Sequence, residues 1–175
     1  MQEYQTADES FHEEQSFDQW WVRLLVWGIA GLMAAVFGTG MYIQFVEGRP
    51  WGDNPMSDTG LAIVGPVAIL FSLALALFLS RLRLITSVRS DGVHLNFVYM
   101  KKKFIPFSDI ERCEAVEYHP IRDFGGWGIR YGGKHGWAYN VKGNRGVSLH
   151  LSGGARFLVG SQRDAELAEA ISGRL

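Results

Sequence analysis

The residues best suited to chemistry lie between positions 119 and 145, in the run HPIRDFGGWGIRYGGKHGWAYNVKGNR. Two imidazoles, His119 and His135, and the carboxylate of Asp123 are side chains that can serve as a general base or as metal ligands. The chain has no HExxH sequence, no second cysteine beside Cys113 and no serine in a nucleophile elbow. The sequence therefore predicts no catalytic activity, no metal site and no cofactor.

The same run could form a binding surface. Its glycines would let a ligand or a partner's backbone approach closely. The candidate residues for a partner or ligand surface are Arg122, Asp123, Trp127, Arg130, Tyr139, Asn140, Asn144 and Arg145. In the alternative interpretation the glycines serve turns and bulges, Trp127 and Trp137 belong to the core, and the charged groups are solvated.

Charge is distributed unevenly along the 175 residues. Residues 81–175 hold 15 of the 17 Lys and Arg against 9 Asp and Glu, a net charge of +6. Residues 1–22 hold six acids and no Lys or Arg, and we interpret residues 1–19 as an acidic cytosolic tail. The single Cys113 excludes an intramolecular disulfide and is interpreted as a buried structural thiol.

Two long uncharged stretches determine where the other segments of the chain lie. Residues 61–80, LAIVGPVAILFSLALALFLS, and residues 24–45 are each long enough to cross a hydrocarbon core of about 30 Å as a helix. With a turn-rich loop between them, they predict a two-span membrane hairpin over residues 20–80. The sequence thus predicts a multi-pass protein of the cell membrane, with the lipid bilayer as a partner.

The orientation of the hairpin follows from its flanks. The loop between the spans carries only Arg49, whereas Arg81, Arg83 and Arg89 follow the second span directly. Because positive residues remain inside, both termini are predicted to be cytoplasmic. The same side chains, with Lys101, Lys102 and Lys103, predict contact with anionic lipid headgroups. The alternative is that Arg81 and Arg83 only set the topology and that the lysines form a solvated turn.

Small residues recur every four positions in both spans and predict the contact between the helices. They are Ala30, Ala34 and Gly38 in the first span and Ala68, Ser72 and Ala76 in the second. Neither span contains an ionisable residue, which pumps and proton relays require. A small oligomeric pore or transporter subunit assembled through the hairpin is the alternative function that remains.

After residue 80 the hydrophobic pattern changes to a period of two. Short strands from residues 84–88 to residues 156–159, separated by glycine-rich turns, predict a sandwich or barrel of seven strands, with His94 and His150 facing solvent. Its predicted core consists of Val93, Leu95, Phe97, Trp127, Trp137, Leu149 and Leu151. Ser161, as a cap, is followed by a closing helix with Leu167 and Ile171 on one face. We expect residues 81–175 to fold alone.

Two motifs in this half carry a family resemblance. Ile105, Pro106, Asp109 and Ile110 form an I-P-x-x-D-I turn before a central strand, and Gly160 and Ser161 precede the last helix. The region resembles the prokaryotic pleckstrin-homology-like (PH-like) domains attached to paired membrane spans. The resemblance implies seven antiparallel strands in two near-orthogonal sheets, one carboxyl-terminal helix, an inner-membrane location and a binding or scaffolding role without catalysis.

The sequence departs from many PH domains in one place. Their phosphoinositide site uses a long basic loop between the first two strands, and here that loop is only residues 89–92. The function predicted is therefore a membrane-tethered interaction or assembly module for an unidentified protein partner or a second copy of the chain. Nucleic acid is excluded as a partner, because the basic residues are few and not interleaved with aromatics.

Overall fold

A computed structural model describes residues 9–175. Its elements are β1 Phe11–Ser16, α1 Trp20–Phe45, α2 Asp58–Arg81, β2 Arg83–Arg89, β3 Gly92–Phe97, β4 Lys101–Pro106, β5 Ile110–Glu117, α3 Pro120–Phe124, β6 Gly128–Tyr131, β7 Trp137–Asn140, β8 Arg145–Leu151, β9 Arg156–Gly160 and α4 Asp164–Ser172. The chain divides into two compact units. The helical unit is Asp18–Arg81, and the β-rich unit joins the described residues through Phe17 to Leu82–Leu175.

The helical unit consists of α1 and α2, each long and apolar enough to cross a membrane. This confirms the prediction of two long apolar helices. Large apolar side chains are exposed along both helices, among them Leu24, Leu25, Ile29, Leu32, Ile63, Val67, Leu70 and Phe71. A soluble protein rarely exposes so large an apolar surface. The hydrocarbon core of a membrane would be a suitable environment for this apolar surface.

Small residues lie on both helices, although not only at the predicted positions. Of the predicted set, Ala30 and Ala76 are buried, whereas Ala34 is exposed. Gly38, Ala68 and Ser72 are half-buried. Two glycines outside that set are buried as well. A Cβ on Gly40 would lie 2.5 Å from the Trp51 ring, and one on Gly65 would lie 3.1 Å from Met41 Sδ.

Four strands form the first sheet, in the order β1-β2-β3-β4, with every pair antiparallel. The interpretation of residues 1–19 as a tail is therefore wrong at Phe11–Ser16, which pairs with β2 at six positions from Phe11↔Val88 to Ser16↔Arg83. Residues 1–8 lie outside the described residues. The strand escaped prediction because two of its three buried positions, Glu13 and Gln15, are polar.

Five strands form the second sheet, in the order β5-β8-β9-β7-β6. The described residues thus contain nine strands rather than the predicted seven, and β7 runs parallel to β9. The predicted all-antiparallel arrangement is wrong at this pair. The β6–β7 hairpin follows α3 and adds to the far side of β9, so its return strand has the direction of β9. The predicted carboxyl-terminal helix is confirmed as α4.

The core of the β-rich unit lies on the inner faces of the two sheets. Val93, Leu95, Phe97 and Leu149 are buried as predicted, and Leu167 and Ile171 of α4 are fully buried beside them. Tyr139 joins this core, with its ring 5.2 Å from that of Phe157 and 6.4 Å from that of Phe97. Three predicted core residues lie elsewhere: Trp127 and Leu151 are half-buried, and Trp137 is 47% exposed beside Tyr131.

Candidate functional site

The first candidate site is residues 99–103, which we call the basic turn. Tyr99 and Met100 lie in the tight turn after β3, and Lys101, Lys102 and Lys103, predicted to belong to the turn, are the first residues of β4. Tyr99 and Met100 are 70% and 55% exposed, and Lys101, Lys102 and Lys103 are exposed as well. Tyr99 has a φ of 65°, a left-handed conformation that non-glycine residues seldom adopt. The turn therefore presents two large apolar side chains next to three cationic groups.

The basic turn lies at the end of the first sheet where the chain connects to both apolar helices. At this end β1 finishes at Ser16, opposite Arg83, with which β2 begins. The Val98 N–H donates to the Arg83 carbonyl at 2.8 Å, which holds the basic turn beside that pair. The Arg83 guanidinium donates to Glu14 at 2.6 Å, so its charge is already paired. Arg81, also predicted to face lipid, lies in the last turn of α2.

Part of the predicted partner surface forms a local network around α3. The Asp123 carboxylate accepts hydrogen bonds from the Arg122 side chain at 2.9 Å and from the His119 N–H at 2.8 Å. These two bonds lower the pKa of Asp123 to about 2. A carboxylate held in this way is a weak base, and it secures the start of α3 rather than taking up protons near neutral pH.

Asn140 and Tyr139, also in the predicted surface, are buried. The Asn140 side chain accepts the Gly128 N–H at 2.9 Å and donates to the Tyr118 hydroxyl at 3.0 Å. Burial raises the pKa of Tyr118, which keeps that hydroxyl protonated. Asn140 thereby attaches β6 to the rest of the second sheet, and its role is structural.

The remaining exposed or half-buried members of the predicted surface each have a hydrogen-bond or ion-pair partner. The Trp127 indole donates to the Gly143 carbonyl, and the Arg130 side chain donates to the Trp127 carbonyl, both at 3.0 Å. Asn144 donates to Glu117 at 2.6 Å, while Arg145 pairs with Asp164 of α4 at 3.3 Å. The structure thus brings Arg130 to Trp127 and Trp127 to Gly143, the neighbour of Asn144, whereas the side chains of Tyr139 and Asn140 are buried inside the domain.

A cleft of about 330 Å³ on the outer face of the second sheet was not predicted. The cleft is lined by alternate residues of β5, β8 and β9, among them Arg112, Glu114, Ser148, His150 and Arg156. His150, predicted to face solvent, is half-buried here, with its Nε2 3.1 Å from Glu114 and 3.3 Å from Arg112. The period-two pattern of β5 and β8 could have identified this surface in the sequence, because it places these side chains on one face of the sheet.

A buried polar seam joins β1 to the segment that leads into α4. The Glu13 carboxylate accepts the Ser161 hydroxyl at 2.6 Å and the Gln162 N–H at 2.9 Å. The Gln15 amide donates to the Gly160 carbonyl at 2.7 Å. Ser161 was predicted as the cap of the last helix, but α4 begins at Asp164 and its N-cap residue is Arg163. The Ser161 hydroxyl accepts the Arg163 N–H at 2.9 Å, just ahead of the helix. The seam thus fastens the amino-terminal strand to the end of β9 and to the segment that leads into α4.

We expect Glu13→Ala to lower the free energy of unfolding by about 1.5–3 kcal/mol, because it leaves buried donors without their charged acceptor. The adjacent Glu14→Ala is the matched control. Glu14 pairs with Arg83 at the surface, where an ion pair contributes at most about 1 kcal/mol. Chemical unfolding of the two variants, followed by fluorescence, measures the difference. Equal losses would show that the seam does not fasten β1.

Two further single residues have local partners. The Cys113 thiol is half-buried rather than buried, with its Sγ 3.1 Å from the Ser172 hydroxyl on α4. His94 pairs with Asp91 at 2.7 Å and stacks against Phe104 at 4.7 Å between ring centres. In the described part of the chain no three His, Cys, Asp or Glu side chains are arranged to hold a metal ion.

Compared with protein-family models and with curated proteins, the sequence matches none of them. The interpretation of the site therefore depends on its geometry.

Proposed function

We propose that this protein is a membrane-anchored interaction or assembly module, in which a two-helix hairpin holds a β-rich binding domain at one membrane surface. The observation that carries the proposal is the pairing of β1 with β2. β1 precedes α1 and β2 follows α2, so both strands can pair only if they lie on the same side of the bilayer. Two crossings satisfy that condition, and one crossing does not.

The charge distribution supports a cytoplasmic location for the domain and for both termini. Arg49 is the single basic residue of the loop between the helices, and it pairs with Glu47. The domain side carries Arg81, Arg83 and the three lysines of the basic turn. Because basic flanks remain in the cytoplasm, the loop would lie outside.

Binding is favoured over catalysis by the state of the candidate catalytic groups. Asp123 is held by two hydrogen bonds with a pKa of about 2, and His135 lies edge-on to Phe124. A two-sheet domain that ends in one helix is also the architecture expected of a PH-like binding module. We propose membership of that class as the finer interpretation, with two of the nine described strands, β1 among them, as additions to its seven.

The cleft on the second sheet is the surface that we propose for a protein partner. Arg112 and Arg156 are exposed beside Glu114 and the half-buried His150. With Glu117 and Asp123 also in the lining, this mixture of charges suits a polar partner segment that carries groups of both signs, since complementary charges at an interface contribute mainly specificity. An oligomeric pore is the second candidate function, favoured by the apolar side chains that α1 and α2 expose.

One set of variants in native membranes tests the module against the pore. Arg112→Glu together with Arg156→Glu should remove the proteins that copurify with the parent chain, because both arginines of the cleft become carboxylates and only acidic charge remains beside its histidines. Arg174→Glu, an exposed change in the last residues, is the matched control and should retain them. The purified parent should pass no ions when reconstituted in liposomes. Identical copurifying proteins in all three chains, or an ion flux, would contradict the proposal.

A further inference from the structure

We propose that the basic turn docks on the anionic surface of the same bilayer that α1 and α2 span, with Tyr99 and Met100 entering its interfacial layer. This inference deepens the proposed function and rests on it, because it requires the hairpin to be membrane-embedded. It assigns a lipid ligand to a surface of the β-rich unit and a role to two side chains that the packing of that unit does not explain.

The exposure of the turn is the first observation. Tyr99 and Met100 are adjacent, large and more than half exposed at the tip of a two-strand hairpin. The left-handed backbone of Tyr99 has a conformational cost that the tight turn alone could avoid with a glycine or asparagine. A tyrosine ring is suited to the headgroup level, where its hydroxyl remains hydrated and its ring is not.

The charge of the turn is the second observation. Among the described residues, 9–175, none forms an ion pair with Lys101, Lys102 or Lys103. Their charge is therefore available to lipid phosphates and carboxylates. Such attraction decays over about 8 Å at physiological salt, so it acts only if the turn lies next to the headgroups.

The connections of the chain tether this end of the sheet to the end of α2. Leu82 alone separates the end of α2 from the start of β2, and two residue steps span at most about 7 Å. The turn is hydrogen-bonded to Arg83 through Val98, at the same end of the sheet. The opposite end, at Asp91, is six residues away along β3, or about 20 Å. The end of the first sheet that includes the turn is therefore tethered directly to α2, and the end at Asp91 is not.

The lysines also have an alternative explanation, which predicts a different result. β4 is an edge strand, and lysines on an edge prevent pairing with the edge of another molecule. If that were their only role, replacing them would cause self-association and would leave the position of the turn relative to lipid unchanged.

The test uses the full chain in nanodiscs of phosphatidylcholine, with and without phosphatidylserine. Cys113→Ser provides a background without thiols, and Met100→Cys carries a spin label. We expect the label to be accessible to oxygen and several-fold less accessible to a water-soluble nickel reagent than a label at Asp91→Cys. Replacing Lys101, Lys102 and Lys103 by Gln should restore nickel access at position 100, and high salt should have the same effect.

A label at position 100 that is as accessible to nickel as the one at position 91 would overturn the inference, as would self-association without a change in access. Thermal unfolding of the labelled chains checks that the domain remains folded. Tyr99→Ser, with the label on Met100→Cys, gives a second measurement that retains the lysines and should also raise nickel access. A failure here would leave the copurification result of the proposed function unaffected, so the two ideas can fail separately.

Discussion

A chain in which a short Gly-Ser loop replaces residues 18–81 should fold as a soluble, cooperatively melting domain, whereas residues 82–175 alone should not. The loop is feasible because Ser16 and Arg83 are register partners, with Cα atoms about 5 Å apart in such a pair. A hairpin loop of a few residues closes that distance. This expectation replaces the one drawn from sequence, in which residues 81–175 fold alone.

The size of the effect follows from what β1 supplies. Phe11 is 5% exposed, and burial of such a side chain contributes about 1.5–3 kcal/mol. Glu13 and Gln15 add hydrogen bonds to residues 160–162, and the ladder with β2 adds more. The sum is comparable with the whole stability of a small domain, about 5–15 kcal/mol.

Circular dichroism and thermal melting of the purified chains measure this effect. The matched control is the looped chain with the order of residues 9–17 shuffled, which retains length and composition and loses the alternation of Phe11, Glu13 and Gln15. It should behave like residues 82–175. Equal, cooperative melts for all three chains would show that β1 is dispensable to the domain.

The parts of the fold that sequence predicted are those with strong local signals. The uncharged runs indicated α1 and α2, and the short loop expected at residues 89–92 lies between β2 and β3. Leu167 and Ile171, four residues apart, identified the buried face of α4. In each case the pattern is complete within one short segment, so no knowledge of distant residues is needed.

The parts that sequence missed depend on distant partners. The buried Glu13 accepts the Ser161 hydroxyl and the buried Gln15 donates to the Gly160 carbonyl, and no local pattern records such a pairing. The side-by-side placement of β7 and β9 is likewise a property of the whole sheet. Trp137 was assigned to the core by its size, yet it lies on the exposed face beside Tyr131.

The candidate site likewise has a part with a local signal in the sequence and a part without one. The lysines of the basic turn were predicted from charge, since a run of three cations after a span is visible in the sequence. The run from position 119 was interpreted as one surface because its residues are close in sequence. Asn140 shows the limit of that reasoning, because it is buried and bonds Gly128 and Tyr118 within the domain.

The central claim is that a strand from before the hairpin pairs with a strand from after it in the membrane. We expect Glu14→Cys and Ile85→Cys to form a disulfide, because register partners are about 5 Å apart and disulfides span Cα distances of about 4.4–6.8 Å. The measurement is mild oxidation of the full chain in native membranes, in the Cys113→Ser background. Cleavage by a protease within the loop at residues 47–57 then shows whether the two halves remain joined.

The matched control pairs Glu14→Cys with Arg89→Cys, four residues further along β2 and about 13 Å away. The account predicts nearly complete joining of the two halves for positions 14 and 85 and little joining for positions 14 and 89. Halves that separate equally in both variants would contradict it, because β1 would then not pair with β2 in the membrane-embedded protein.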